Sequence, residues 1–87
     1  MAGYAVEFTA GAAKEIRKLD TGARKRILAS IAGLAADPRP VGCKKLVGEQ
    51  NAWRVRFADY RVLYEIHDEV LTVIVVRVAH RREVYKR

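Results

Sequence analysis

Hydrophobic and polar residues change their period several times along this chain. Tyr4-Ala5-Val6-Glu7-Phe8 alternates with the two-residue period of a short strand, and Thr9 then offers a side-chain oxygen to the first free amides of a helix. From Ala10 to Leu19 the period lengthens. Ala12, Ala13, Ile16 and Leu19 recur at three- and four-residue spacing, which gathers them on one helical face and leaves Lys14, Glu15, Arg17 and Lys18 to water. Asp20-Thr21-Gly22 reads as a break. A second predicted helix, Ala23 to Ala36, carries a longer apolar stripe of Ile27, Leu28, Ile31, Leu34 and Ala35, with Arg24, Lys25 and Arg26 mostly opposite. So short a connection predicts an antiparallel helical hairpin.

Pro38 and Pro40 cannot continue a helix, so Asp37 to Gly42 is a loop, leading into a short edge strand at Lys44-Lys45-Leu46. Gly48 to Asn51 turns the chain. Three strands are predicted next, about Trp53–Phe57, Tyr60–His67 and Leu71–Ala79, and their connections, Ala58-Asp59 and Asp68-Glu69, are short enough to force antiparallel pairing. Val73-Ile74-Val75-Val76 is apolar on both faces, as in an interior strand that the helical hairpin covers on one side. The expectation is an α+β fold in a single domain, residues 1–87.

The same alternation sorts the polar residues of these strands. Arg54 and Arg56 point one way while Trp53, Val55 and Phe57 point the other, and on the next strand Arg61 shares its face with Leu63 and Glu65. Arg77 is a further candidate for that face. One such arginine alone is most simply a solvated residue, paired with Glu65 or Asp59; several on one face repel each other without an anion, which points to phosphate. Lys44, Lys45 and Arg82 extend the candidate substrate-binding set. His80 ends the longest strand, and histidine's ordinary pKa, about 6.5, suits proton transfer at neutral pH. His67 reads as an exposed turn residue. Tyr85 lies among His80, Arg81, Arg82, Lys86 and Arg87, and an aromatic interleaved with cations suits an unstacked nucleotide. Trp53, Tyr60 and Tyr64 fall on the core side by alternation and read as packing residues.

Charge narrows the partners. The 87 residues carry a net +7 and an isoelectric point near 10, which favours nucleic acid, an anionic partner or an acidic membrane surface over a neutral ligand. Both halves contribute, so a folded basic surface accounts for the total. Cys43 is the only cysteine, which excludes an internal disulfide and fits a reducing, cytoplasmic setting. The N-terminus lacks the pattern of a signal peptide, and the longest nearly apolar run, Val70 to Val76, falls far short of the ~20 residues that span a bilayer. Neither histidine belongs to a metal-ligand spacing, and no cofactor motif is visible.

Taken together, Lys45-Leu46-x-Gly48, Trp53-Arg54-Val55-Arg56, Tyr60-Arg61-Val62-Leu63-Tyr64, Asp68 and Val78-x-His80-Arg81-x-x-Val84-Tyr85 resemble the RelE family of the RelE/ParE type II toxin–antitoxin superfamily. The likeness spans nearly the whole chain. It implies a RelE-like fold in which an N-terminal strand and an antiparallel helical hairpin pack on a small, mainly antiparallel sheet. It also implies a ribosome-dependent mRNA endonuclease that cuts in the A site by metal-independent attack of the 2′-hydroxyl, so inhibiting translation. Arg61 and Arg81 match the family's phosphate-binding arginines, and Tyr85 its C-terminal tyrosine. Arg54, Arg56 and His80 stand where some relatives have lysine. Arginine stays protonated up to a pKa above about 12, so Arg54 and Arg56 suit charge stabilisation and leave His80 or Tyr85 for proton transfer. The implied partners are a cognate RelB-like antitoxin, the ribosome and mRNA, with DNA reached only through the antitoxin and no membrane. A ParE-like inhibitor of DNA gyrase without RNase activity is the alternative, and a toxin that has lost activity and persists as a binding module is a third reading.

Overall fold

The structure, a computed structural model, describes residues 3–80. The chain opens with β1 (Ala5–Phe8), and Thr9 then accepts the Ala12 amide at 3.1 Å and starts helix α1 (Ala10–Arg17). The first helix ends two residues before the expected Leu19. The break expected at Asp20-Thr21-Gly22 is instead the start of α2 (Thr21–Ala32), because the Asp20 carboxylate accepts the Ala23 amide at 2.7 Å. An aspartate at that position caps as readily as it interrupts. A turn of 3₁₀-helix, Gly33–Ala35, completes the second helical run.

The remaining elements are β2 (Lys44–Lys45), β3 (Ala52–Phe57), β4 (Tyr60–His67) and β5 (Thr72–His80). They form one sheet with β1 in the order β1-β5-β4-β3-β2. All neighbours are antiparallel except β1 and β5, which run parallel from Ala5 opposite Thr72 to Phe8 opposite Val75. Both helices lie on one face. Their residues Ala12, Ile16, Ile27, Ile31 and Leu34 join Val55, Val62, Tyr64, Ile66, Val73, Val75 and Val78 of the sheet in one apolar cluster, each at most 7% exposed. Leu28 departs from its predicted stripe: it is 38% exposed at the outer rim of α2, beside the similarly exposed Phe8.

The β4–β5 ladder contains a bulge. Tyr64 pairs with Val75 and Leu63 with Arg77, so Val76 is an extra residue and the strand's inward–outward alternation reverses after it. Past Val75 the outer edge of β5 is closed by side chains: Thr9 Oγ1 donates to the Val76 carbonyl at 3.3 Å, and Glu15 Oε1 accepts the Val78 amide at 2.7 Å.

Among the described residues the 37–43 loop, not a helix, packs over β3. Buried Tyr64 donates its hydroxyl to the Pro38 carbonyl at 2.7 Å. Arg39 then stacks over Trp53, 5.0 Å from the ring centre, and binds both Asp68 oxygens, at 3.3 and 2.9 Å. Tyr4 donates to the same carboxylate at 2.5 Å. These hydrogen bonds, from Arg39 first and Tyr4 second, hold Asp68 below its ordinary pKa of 3.8, and the bond to Asp68 raises the Tyr4 phenol above its usual 10.0. Among the described residues, no helix is long and apolar enough to cross a membrane.

Candidate functional site

The face of the sheet opposite the two helices is assembled by register. Lys44 lies opposite Arg54, Arg54 opposite Leu63, and Arg56 opposite Arg61, and directly opposed residues of neighbouring strands share a face. Four of the expected cations thus occupy two adjacent rows. Their register partners include no carboxylate; the remaining ones are Leu63 and Ala79. Like charges directly opposite one another are destabilising, so the Arg56–Arg61 row suits an anion laid across it. The Arg56 Nε donates to the Ala58 carbonyl at 3.0 Å, which draws its guanidinium towards the β3–β4 turn. That turn is tight. Ala58 adopts a left-handed φ of 56°, unusual for a residue with a Cβ.

Other candidates are placed differently. Lys45 lies opposite Trp53, so by alternation it belongs to the helix-covered side and not with Lys44. Arg77 stays on the arginine face by register, opposite Leu63, but at the outer strand it is engaged by Glu15 of α1, with Nε 3.3 Å from Oε2. His80 lies opposite Tyr60, their rings edge to face with centroids 5.4 Å apart, and it lines a cavity of about 440 Å³ with Glu15, Lys18 and Leu19 of the helical side. The bulge at Val76 puts it there. His67 is the last residue of β4, not an exposed turn residue: its side chain is 26% exposed and bonds Glu65 Oε1 at 2.9 Å. Glu65 is therefore held by His67, not by an arginine. Trp53, Tyr60 and Tyr64 pack on the core side, and burial drives the Tyr64 phenol to a higher pKa. Arg81, Arg82 and Tyr85 lie outside the described residues.

Two helices packed on a five-stranded, mainly antiparallel sheet match the architecture of a family of small toxins. The family model described as the ParE toxin of the type II toxin–antitoxin system, parDE, matches residues 6–85, and the chain belongs to this RelE/ParE superfamily. It is 37% identical to Toxin RelG of Mycobacterium tuberculosis, over 97% of this chain and 98% of the relative. It is 31% identical to the mRNA interferase toxin RelE of Escherichia coli, over 94% and 90%. The toxin–antitoxin complex RelBE2 from M. tuberculosis contains a chain that superposes with a TM-score of 0.80 at 32% identity, covering 91% of this chain and 99% of that one. The isolated E. coli RelE toxin gives 0.76 at 28%, covering 88% and 83%. The chain is a toxin of the type II toxin–antitoxin class.

Proposed function

We propose that this toxin cuts mRNA on the ribosome and so halts translation. The observation that carries the reading is the pair of cationic rows, Lys44–Arg54 and Arg56–Arg61, on the face opposite the two helices. The likeness to an E. coli protein named as an mRNA interferase supports it. RNA laid on this face presents a scissile phosphate to the guanidiniums. The 2′-oxygen of the upstream nucleotide bonds to phosphorus, the bond to the 5′-oxygen breaks, and the products are a 2′,3′-cyclic phosphate and a 5′-hydroxyl. One proton leaves the 2′-hydroxyl and one arrives on the 5′-oxygen. Arg54, Arg56 and Arg61 stabilise the extra negative charge in between, the electrostatic contribution that is usually the largest in catalysis.

Arg81 and Tyr85 complete the set by their match to the family motif. With the His80 ring packed on Tyr60 towards the helices, proton transfer falls to Tyr85 in preference to His80. Because the arginines bind phosphate without supplying a base, the ribosome is needed to position the 2′-hydroxyl for attack. A RelB-like antitoxin is the proposed partner, by analogy with the RelB complexes of similar toxins. Its acid-bearing segment would oppose the +7 charge, and attraction of this kind speeds association at low salt.

The deciding experiment maps cleavage sites on translated and on naked mRNA and analyses the product ends. Ribosome-dependent cuts ending in cyclic phosphate are expected. Rapid cutting of naked RNA would remove the ribosome from the mechanism, and 5′-phosphate with 3′-hydroxyl ends would exclude internal attack. Arrest of DNA gyrase with intact mRNA would establish the ParE-like alternative, which the ParE description of the matching family model favours.

A further inference from the structure

Beyond the arginine rows this face changes character. The row after Lys44–Arg54–Leu63 runs Ala52–Glu65–Ile74–Glu7; half-buried Leu63 lies on β4 between Arg61 and Glu65, and half-buried Ile74 lies beside Glu65 on β5. Glu65 is 42% exposed and is held in place by His67. A hollow of about 220 Å³ opens beside it, lined by Gln50, Asn51, Ala52, Glu65 and His67 together with Glu49. From Arg61 to Glu65 is four strand residues, about 13 Å at ~3.3 Å each. This is on the scale of one nucleotide measured from its phosphate to the far edge of its base.

A carboxylate on a phosphate-binding face is out of place as a phosphate ligand, since it repels one. Its oxygens accept hydrogen bonds and so suit the donor edge of a base whose phosphate lies on the arginines. Guanine presents two neighbouring donors there, N1–H and the 2-amino group, whereas adenine and cytosine present an amino group next to an acceptor. We infer that Glu65, oriented by His67, is a specificity residue that reads a guanine of the bound RNA, with Leu63 and Ile74 as the apolar floor beneath the base. The inference rests on the RNA-cleaving reading and deepens it.

The test compares guanine with inosine, which lacks only the 2-amino donor, at each position of the codon in the A site. Cleavage on programmed ribosomes and equilibrium binding of the matching short RNAs to the isolated toxin are both measured. At one position the wild type should lose roughly tenfold in both with inosine, the scale of one specific base contact, and Glu65→Gln should treat the two bases alike while keeping a native circular dichroism spectrum. Equal handling of guanine and inosine by the wild type at every position, or an undiminished gap in Glu65→Gln, overturns the inference and leaves the cleavage reading intact. Absence of cleavage together with a Glu65-dependent guanine preference in binding would do the reverse.

Discussion

Strands β3 and β4 present two unlike faces built from alternate residues of the same segments. On the covered face Val55, Val62, Tyr64 and Ile66 are at most 3% exposed and belong to the core that the two helices and the 37–43 loop close. On the free face Arg54, Arg56 and Arg61 stand in rows whose register partners offer no opposite charge. The covered face holds the fold together, while the free face gathers like charge. Guanidiniums collected on one face of a sheet are an expected mark of a surface that binds an anionic ligand.

Substitutions on the two faces should therefore separate stability from activity. The largest expected effect is on the covered side: Ile31→Ala, at a residue 1% exposed, should lower the unfolding free energy by about 2–5 kcal/mol in urea titrations, since a cavity adds to the lost burial. A loss below about 1 kcal/mol would mean that α2 does not close the core as described. On the free side Arg61→Ala should leave the fold native and slow single-turnover cleavage by ~100-fold or more, about 2.7 kcal/mol at the transition state. Wild-type cutting by a folded Arg61→Ala would place the active surface elsewhere.

Tyr64→Phe sharpens the contrast by deleting one hydroxyl. The Pro38 carbonyl loses its buried donor, and a stability decrease of about 1–3 kcal/mol should follow, with cleavage affected only in proportion to unfolding. Arg56→Gln should move stability by no more than ~0.5 kcal/mol, the scale of an exposed substitution. A larger loss would mean that the bond from Arg56 to the Ala58 carbonyl holds the β3–β4 turn.

The smallest effect is a pH dependence at the Arg39–Asp68–Tyr4 clasp. Asp68 has a lowered folded pKa, so its contribution is present above the unfolded value of 3.8 and disappears as pH falls through the folded one. Tyr4 has a raised folded pKa, so its contribution is present below 10.0 and disappears as pH rises through the folded value. Asp68→Asn should flatten the acid limb of a stability profile below about pH 4. Both partners are well exposed, so added salt should shrink the difference between the variants.

Much of this organisation was legible in the residue pattern. Alternation alone placed Arg54 and Arg56 opposite Trp53, Val55 and Phe57, and three- and four-residue spacing placed Ile16, Ile27 and Ile31 inward. What the pattern could not carry were relations between distant segments. The parallel pairing of Ala5–Phe8 with Thr72–Val75 leaves no local trace, nor does the reach of Arg39 to Asp68. The position of His80 was hidden for a different reason. Simple alternation from Val73 and Val75 would turn Arg77 and Ala79 inward and His80 outward, but one extra residue at Val76 reverses them all. Leu28 shows the opposite limit: its helical spacing is right, yet none of the described elements packs over that rim.

The carboxylate of Glu15 has a consequence for the protein in crowded solution. A strand whose outer edge is open offers its amides to any similar strand it meets, which is how native sheets join edge to edge and aggregate. By occupying the Val78 amide and engaging Arg77, Glu15 closes β5 beyond the point where β1 departs. Glu15→Ala should then lower the concentration at which the purified toxin self-associates, and light scattering would detect this even where the monomer's melting temperature scarcely moves.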